Sequence, residues 1–148
     1  MRILLDNNAI DKINEHLDYI KSHKDIEFYI CKEVAHETSE NRSISFEKNF
    51  ISLLKVGVKY IPNSVFAIGH TILDGESYIG SYEASNVYYN ILNKNKSNIA
   101  DAIIAATAYE NDCIVLTYDK KFYKKMKKYN YQVVTFEELK GQFLSNQL

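Results

Sequence analysis

The stretch from Asn98 to Phe122 constrains this chain more than any other. Its first half, Asn98 to Asp112, is an alanine-rich run of strong helix formers. Its second half, Cys113 to Thr117, is a short apolar β-type run that stops at the polar Tyr118-Asp119-Lys120-Lys121. Helix, tight turn and strand therefore follow one another with little slack. Asp101 falls near the start of the helix and Asp119 just beyond the strand. Polar groups beyond the C-terminal ends of strands in an open α/β sheet gather in one crevice. Two carboxylates reaching that crevice from different elements point to a cation site.

The rest of the chain repeats the same alternation. Arg2 to Leu5 reads as a central strand ending in Asp6-Asn7-Asn8. A helix follows with Ile10, Ile13, Leu17 and Ile20 on one face, and Asn7 or Asn8 suits its N-cap. Ile26 to Cys31 reads as a second strand, and Lys32 to Glu40 as a helix placing Glu33 and Glu37 one turn apart. Ser45 to Leu54 reads as a helix with Phe46, Phe50, Leu53 and Leu54 apolar. Val58 to Ile61 is a third strand, stopped by Pro62-Asn63. Between Ser64 and Lys96 the pattern weakens. Val65, Ile68 and Ile72 suit one side of a helix that Gly75 breaks, and Tyr82 to Leu92 suits another. Asn93 to Asn98 reads as a polar linker. Lys120 to Lys128 forms a basic helix with Phe122 and Met126 inward, Tyr131 to Phe136 a last strand, and Glu137 to Leu144 a closing helix. Strands alternating with helices predict a mostly parallel sheet covered on both faces.

The chain's 148 residues are expected to form one domain with a real core. A net charge of -1 excludes bulk electrostatic attraction to nucleic acid, so any such interface must be a local basic patch. No apolar run has membrane-spanning length, and Asp6 interrupts the N-terminal apolar run too early for a signal peptide. Cys31 and Cys113 sit in or beside strands and read as reduced core thiols, so a cytoplasmic location is expected. His16, His23, His36 and His70 form no His-Glu-x-x-His zinc pattern.

Four segments, in order, resemble one known family. They are Leu-Leu-Asp-Asn-Asn-Ala-Ile at 4–10, Val-Ala-His-Glu at 34–37, Ala-Asp-Ala-Ile-Ile-Ala-Ala-Thr-Ala at 100–108, and Val-Leu-Thr-Tyr-Asp-Lys-Lys-Phe at 115–122. Together they resemble the PIN domain ribonucleases, and among these the VapC-type toxins of toxin–antitoxin pairs. The resemblance is absent across 62–96. It implies a three-layer α/β fold with a five-stranded parallel sheet of order 3-2-1-4-5. It also implies a divalent-metal endoribonuclease, with Asp6, Glu37, Asp101 and Asp119 at the metal-binding, catalytic positions. Thr117 takes the place of the hydroxyl that supports the last acid. Asn7 stands where many relatives carry Thr or Ser, and its amide is also able to bond a carboxylate.

Mg²⁺ or Mn²⁺ suits four carboxylates, because hard cations prefer oxygen and relieve like-charge repulsion. One metal or two is left open. Each acid also has a plainer role: Asp6 and Asp119 as helix caps, Asp101 as a partner of the helix dipole, and Glu37 as a solvated side chain beside Glu33. The basic helix offers Lys120, Lys121, Lys124 and Lys125 to an RNA backbone and Tyr118, Tyr123 and Tyr129 to unpaired bases. A solvated helix face accounts for the same residues. The resemblance further implies an RNA substrate, a small antitoxin partner and a homodimer. The tyrosines of 78–89 are a candidate face for either protein partner, though core packing explains them equally. The second reading is a catalytically silent PIN-like module that binds RNA or protein. A phosphotransferase of haloacid-dehalogenase type needs an Asp where Asn8 stands.

Overall fold

The computed structural model describes residues 1–40, 44–67, 70 and 77–145. Five strands make one sheet: β1 (Arg2–Leu5), β2 (Glu27–Cys31), β3 (Lys59–Ile61), β4 (Ile114–Leu116) and β5 (Val133–Val134). Their order is β3-β2-β1-β4-β5, and all four pairings are parallel. This is the order the resemblance implies. Ile3, Leu4 and Leu5 are all fully buried in the central strand, as expected where helices cover both faces.

The helices are α1 (Asn7–Ile10), α2 (Leu17–Ser22), α3 (Lys32–Glu40), α4 (Ile44–Val56), α5 (Tyr82–Leu92), α6 (Ile99–Glu110), α7 (Lys120–Lys128) and α8 (Phe136–Ser145). Helix α6 is the centre of its layer. Every residue from Ala102 to Ala108 is buried, which fits a helix apolar on all sides. Ala84, Val87 and Ile91 of α5 are buried beside it. Residues 63–67 run along the same helix, where the Ser64 N–H donates to Thr107 Oγ1 at 3.0 Å.

Several expectations are corrected. The first helix is not continuous. It breaks at Asp11 into α1, a 3₁₀ turn over Ile13–His16 and α2. Ile10, Ile13 and His16 are all buried, and their spacing of three suits the tighter 3₁₀ winding. The N-cap of α1 is Asp6, not Asn7 or Asn8. Residues 64–67 form no helix, while Ile68, Ile72 and Gly75 lie outside the described residues. Part of the Asn93–Asn98 linker is a 3₁₀ turn, Lys96–Asn98, capped by Asn95. Helix α4 buries Asn49, Ser52 and Leu53 but leaves Phe50 and Leu54 exposed. The last strand is only two residues long, because a capping box starts α8 early. The Thr135 N–H donates to Glu138 Oε2 at 2.9 Å, and the Glu138 N–H donates to Thr135 Oγ1 at 3.3 Å. Cys31 and Cys113 are free and buried, and burial pushes their thiols up to about 12 and about 11. No described helix is long and apolar enough to cross a membrane.

Candidate functional site

The chain leaves β1 for β2 on one side, and later places β4 on the other side of β1. The crevice beyond the C-terminal ends of β1 and β4 is therefore the topological switch point. Asp6 follows β1 directly, and Thr117 to Asp119 follow β4. The Asp6 N–H donates to the Leu116 carbonyl at 3.0 Å, which extends the ladder and fixes the two turns against each other.

Asp6 is 6% exposed and fully engaged. Its Oδ1 accepts from the Asn7 N–H at 2.7 Å, and its Oδ2 accepts from Thr117 Oγ1 at 2.6 Å and Asn8 Nδ2 at 3.0 Å. Thr117 is also completely buried, and its Oγ1 accepts from the Asp119 N–H at 3.0 Å. One hydroxyl thus ties the acid after β1 to the acid after β4. Asp119 itself caps α7: its Oδ1 accepts from the N–H groups of Lys121 at 2.7 Å and Phe122 at 2.9 Å. Capping leaves its Oδ2 without a role in the helix. Asp101 lies in the first turn of α6, and Lys125 Nζ stands 3.5 Å from its Oδ2.

The acids perturb one another. Burial pushes Glu37 up to about 7, and the charges of Asp6, Glu33, Asp101 and Glu40 add to this. Burial likewise lifts Asp101 to about 6; Lys125 opposes the rise, while Asp6 and Asp119 reinforce it. Asp6 is raised chiefly by burial, against the hydrogen bonds from Thr117, Asn7 and Asn8. Asp6, Glu37, Asp101 and Asp119 thus share one electrostatic environment, although four separate elements carry them. Their donors are all oxygen, as hard divalent cations require. Among the described residues, no three His, Cys, Asp or Glu side chains stand as a ready-made ligand group. The all-oxygen donor chemistry fits such a cation.

Three functional contacts were not visible in the sequence. Asn8, rather than the side chain of Asn7, bonds the first carboxylate, and Asn8 Oδ1 accepts from the Tyr118 N–H at 2.8 Å. The Asn7 Oδ1 instead accepts from Thr38 Oγ1 at 3.1 Å, linking α1 to α3. Glu33 and Glu37 are told apart by their surroundings. Glu33 is buried with its Oε1 2.8 Å from His70 Nε2, and its N–H donates to Asn63 Oδ1. Glu37 is the one coupled to Asp6 and Asp101. Of the four candidate lysines, Lys120, Lys121 and Lys124 are exposed, whereas Lys125 turns toward Asp101.

The raised acids predict how the metal-free fold depends on pH. Glu37 and Asp101 bind protons more tightly in the folded chain than in the unfolded one. Their contribution is therefore fully present below about pH 4 and is lost as pH rises through about 6 to 7. Their partial exposure reduces the total to roughly 2–3 kcal/mol. His16, lowered chiefly by burial, acts with the opposite sign, so the effect is read as a difference between wild type and Asp101→Asn. In EDTA, the urea midpoint of wild type is expected to fall relative to that variant between pH 5 and pH 7.5. Parallel pH curves would contradict the coupling.

Residues 80–128 match the PIN domain family. A search of the curated proteins finds no match. Among solved structures, the chain is similar to a domain of a functionally unknown protein from Methanocaldococcus jannaschii. Identity is 20%, the TM-score is 0.58, and 90% of this chain and 89% of that chain are covered. It is similar to VapBC2 from Rickettsia felis, solved bound to a promoter DNA fragment, at 16% identity, a TM-score of 0.56 and coverage of 91% and 98%. It is also similar to VapBC-1 from nontypeable Haemophilus influenzae, at 14% identity, a TM-score of 0.55 and coverage of 93% and 99%. At these identities the structures share a fold. The matched segment holds Asp101, Thr117 and Asp119, and the switch-point crevice joins it to Asp6 and Glu37. Over residues 80–128 the sequence matches the PIN domain family, and across the described residues the chain shares the fold of these VapBC structures.

Proposed function

We propose that residues 1–148 form one divalent-metal-dependent endoribonuclease domain and that the protein is the toxin of a toxin–antitoxin pair. The supporting observation is that Asp6, Glu37, Asp101 and Asp119, carried by four elements, share the switch-point crevice, where burial and neighbouring acid charges raise the proton affinity of Asp6, Glu37 and Asp101. Asp6, Glu37, Asp101 and Asp119 are the residues that would hold Mg²⁺ or Mn²⁺. When bound, such an ion acidifies a water and offsets charge on the phosphodiester transition state. The chain's own residues do the positioning. Thr117 and Asn8 fix the Asp6 carboxylate, and the N-terminus of α7 fixes Asp119.

RNA is the substrate, and the exposed lysines of α7 receive its backbone. Lys125 is engaged with Asp101, so in this reading Lys124 takes more of the phosphate contact. Lys124→Gln is expected to reduce the slope of log affinity against log salt by about 1. Lys125→Gln should change it less. An unchanged slope in Lys124→Gln, measured by RNA binding in EDTA, would remove the helix from the interface. The VapBC structures that resemble this chain support a protein partner, which we take to be a small antitoxin. Tyr82 and Tyr89 are 77% and 67% exposed on α5, so core packing does not account for them, and a homodimer would cover them.

A silent RNA- or protein-binding module is the second reading. It is favoured by Lys125, whose ammonium stands 3.5 Å from Asp101 and would compete with a cation there, and by the lack of a ready-made ligand group among the described residues. Calorimetric titration of the metal-free protein with Mn²⁺ separates the two. The nuclease reading expects saturable binding that Asp101→Asn/Asp119→Asn loses. Equal heats in both proteins would sink it.

A further inference from the structure

Helices α6 and α7 both start at the acidic crevice, and the seam between them leads away from it. Asp101, Ala105 and Tyr109 are spaced by four along α6, so they lie on one face. Lys125 bridges the seam at its acidic end. At the opposite end of the sheet the seam opens into a cavity of about 290 Å³. Its lining includes Ala105, Tyr109, Asp112, Asn130, Tyr131 and Gln132.

The chemistry of this cavity is not that of a core defect. Its aromatic wall is Tyr109 and Tyr131, with ring centroids 6.3 Å apart at 69°, and Tyr129 stacks on Tyr131 at 6.0 Å and 25°. Tyr131 is pinned by a hydrogen bond from Asn90 Nδ2 to its hydroxyl at 2.7 Å. Tyr109 is 47% exposed. Asp112 and Asn130 sit in the left-handed region, at φ 52° and φ 58°, where the chain turns out of α6 and α7. They add a carboxylate and an amide to the lining, and Gln132 adds a second amide. Flat rings beside a few hydrogen-bonding groups suit a nucleobase. Lys128, at the end of α7, lies 5.3 Å over the ring of Tyr129, which stacks on Tyr131, and this puts positive charge beside the cavity. Nine residues of α7 span about 14 Å, so the acidic crevice and the cavity are a few nucleotides apart on one strand.

We propose that this cavity is a base-binding subsite for single-stranded RNA lying along the α6–α7 seam, away from the acidic site. The proposal rests on the RNA-nuclease reading for its ligand. Tyr109 stacks the base, and Tyr131, inclined at 69° to it, meets the base edge-on. The Asp112 carboxylate accepts from the exocyclic amino group of cytosine, whereas uracil presents two carbonyl oxygens flanking its single N3–H, so cytosine is favoured.

The test is binding of labelled hexacytidylate and hexauridylate to the full chain in EDTA, where no cutting occurs. Tyr109→Ala is expected to weaken hexacytidylate binding about ten-fold, and Tyr109→Phe to restore it. Wild type should prefer hexacytidylate several-fold, and Asp112→Asn, which suits the same left-handed backbone, should erase that preference. Thermal midpoints confirm that the variants are folded. Wild-type affinity and preference in both Tyr109→Ala and Asp112→Asn would overturn the subsite. Cytidine monophosphate competing as strongly as the hexamer would also overturn it, by making the cavity a mononucleotide site. Loss of metal-dependent cutting with Tyr109-dependent binding intact would remove the nuclease reading and leave the subsite standing.

Discussion

Asp101→Asn is expected to lower metal-dependent RNA cleavage by at least about a hundred-fold, because changing groups that merely orient metal ligands already costs ten- to a hundred-fold. The same variant is expected to make the metal-free fold more stable at neutral pH. Asp101 is held at about 6 in spite of Lys125 at 3.5 Å, so burial and the Asp6 and Asp119 charges outweigh that ion pair. An amide removes the ionisation cost while keeping the shape. With the side chain 27% exposed, the gain is about 1–2 kcal/mol at pH 7.5 and vanishes near pH 4. Urea unfolding in EDTA reads the stability, and cleavage in Mn²⁺ reads the activity. A destabilised variant would mean that Asp101 serves α6 as a dipole partner and not the crevice as a ligand.

Asp6 separates the two roles differently, because it is both a cap and a member of the cluster. Asp6→Ala removes the cap of α1 and strips Thr117 Oγ1 and Asn8 Nδ2 of their shared acceptor. Thr117 has a fallback in Asn8 Oδ1 at 3.3 Å, which limits the damage. A loss of about 2–3 kcal/mol is expected. Asp6→Asn keeps an acceptor oxygen and sheds a charge that burial disfavours, so its stability should stay within about 1 kcal/mol of wild type. Both variants should be inactive. Cleavage retained by Asp6→Asn would show that the carboxylate charge is not needed there.

The positions of three of the four acids relative to their elements could be read from the chain. Asp6 and Asp119 fall where apolar strand runs stop, and Asp101 falls in the first turn of an unmistakable helix. Local periodicity carries that information. Helical spacing alone does not separate Glu37 from Glu33, since a one-turn interval places both on one face; only the resemblance, with Val34 three residues before Glu37, favours Glu37. Glu33 is engaged by Asn63 and His70, and those contacts reach into the segment where the pattern is weakest. Lys125 reaching Asp101 joins residues 24 apart on different helices, which no local rule predicts. The break at Asp11 escaped because Ile10 and Ile13 fit both an α-helix and a 3₁₀ turn. The end of the last strand was overrun, although Thr135 and Glu138 do spell a capping box.

The most direct test of the account is cleavage of a mixed structured and single-stranded RNA pool by the purified protein. It is run in EDTA, Mg²⁺ and Mn²⁺ beside the folded Asp101→Asn/Asp119→Asn variant. The account predicts cutting that requires the divalent ion and disappears in the variant. Cutting that persists in EDTA, or that the double variant retains, would contradict it.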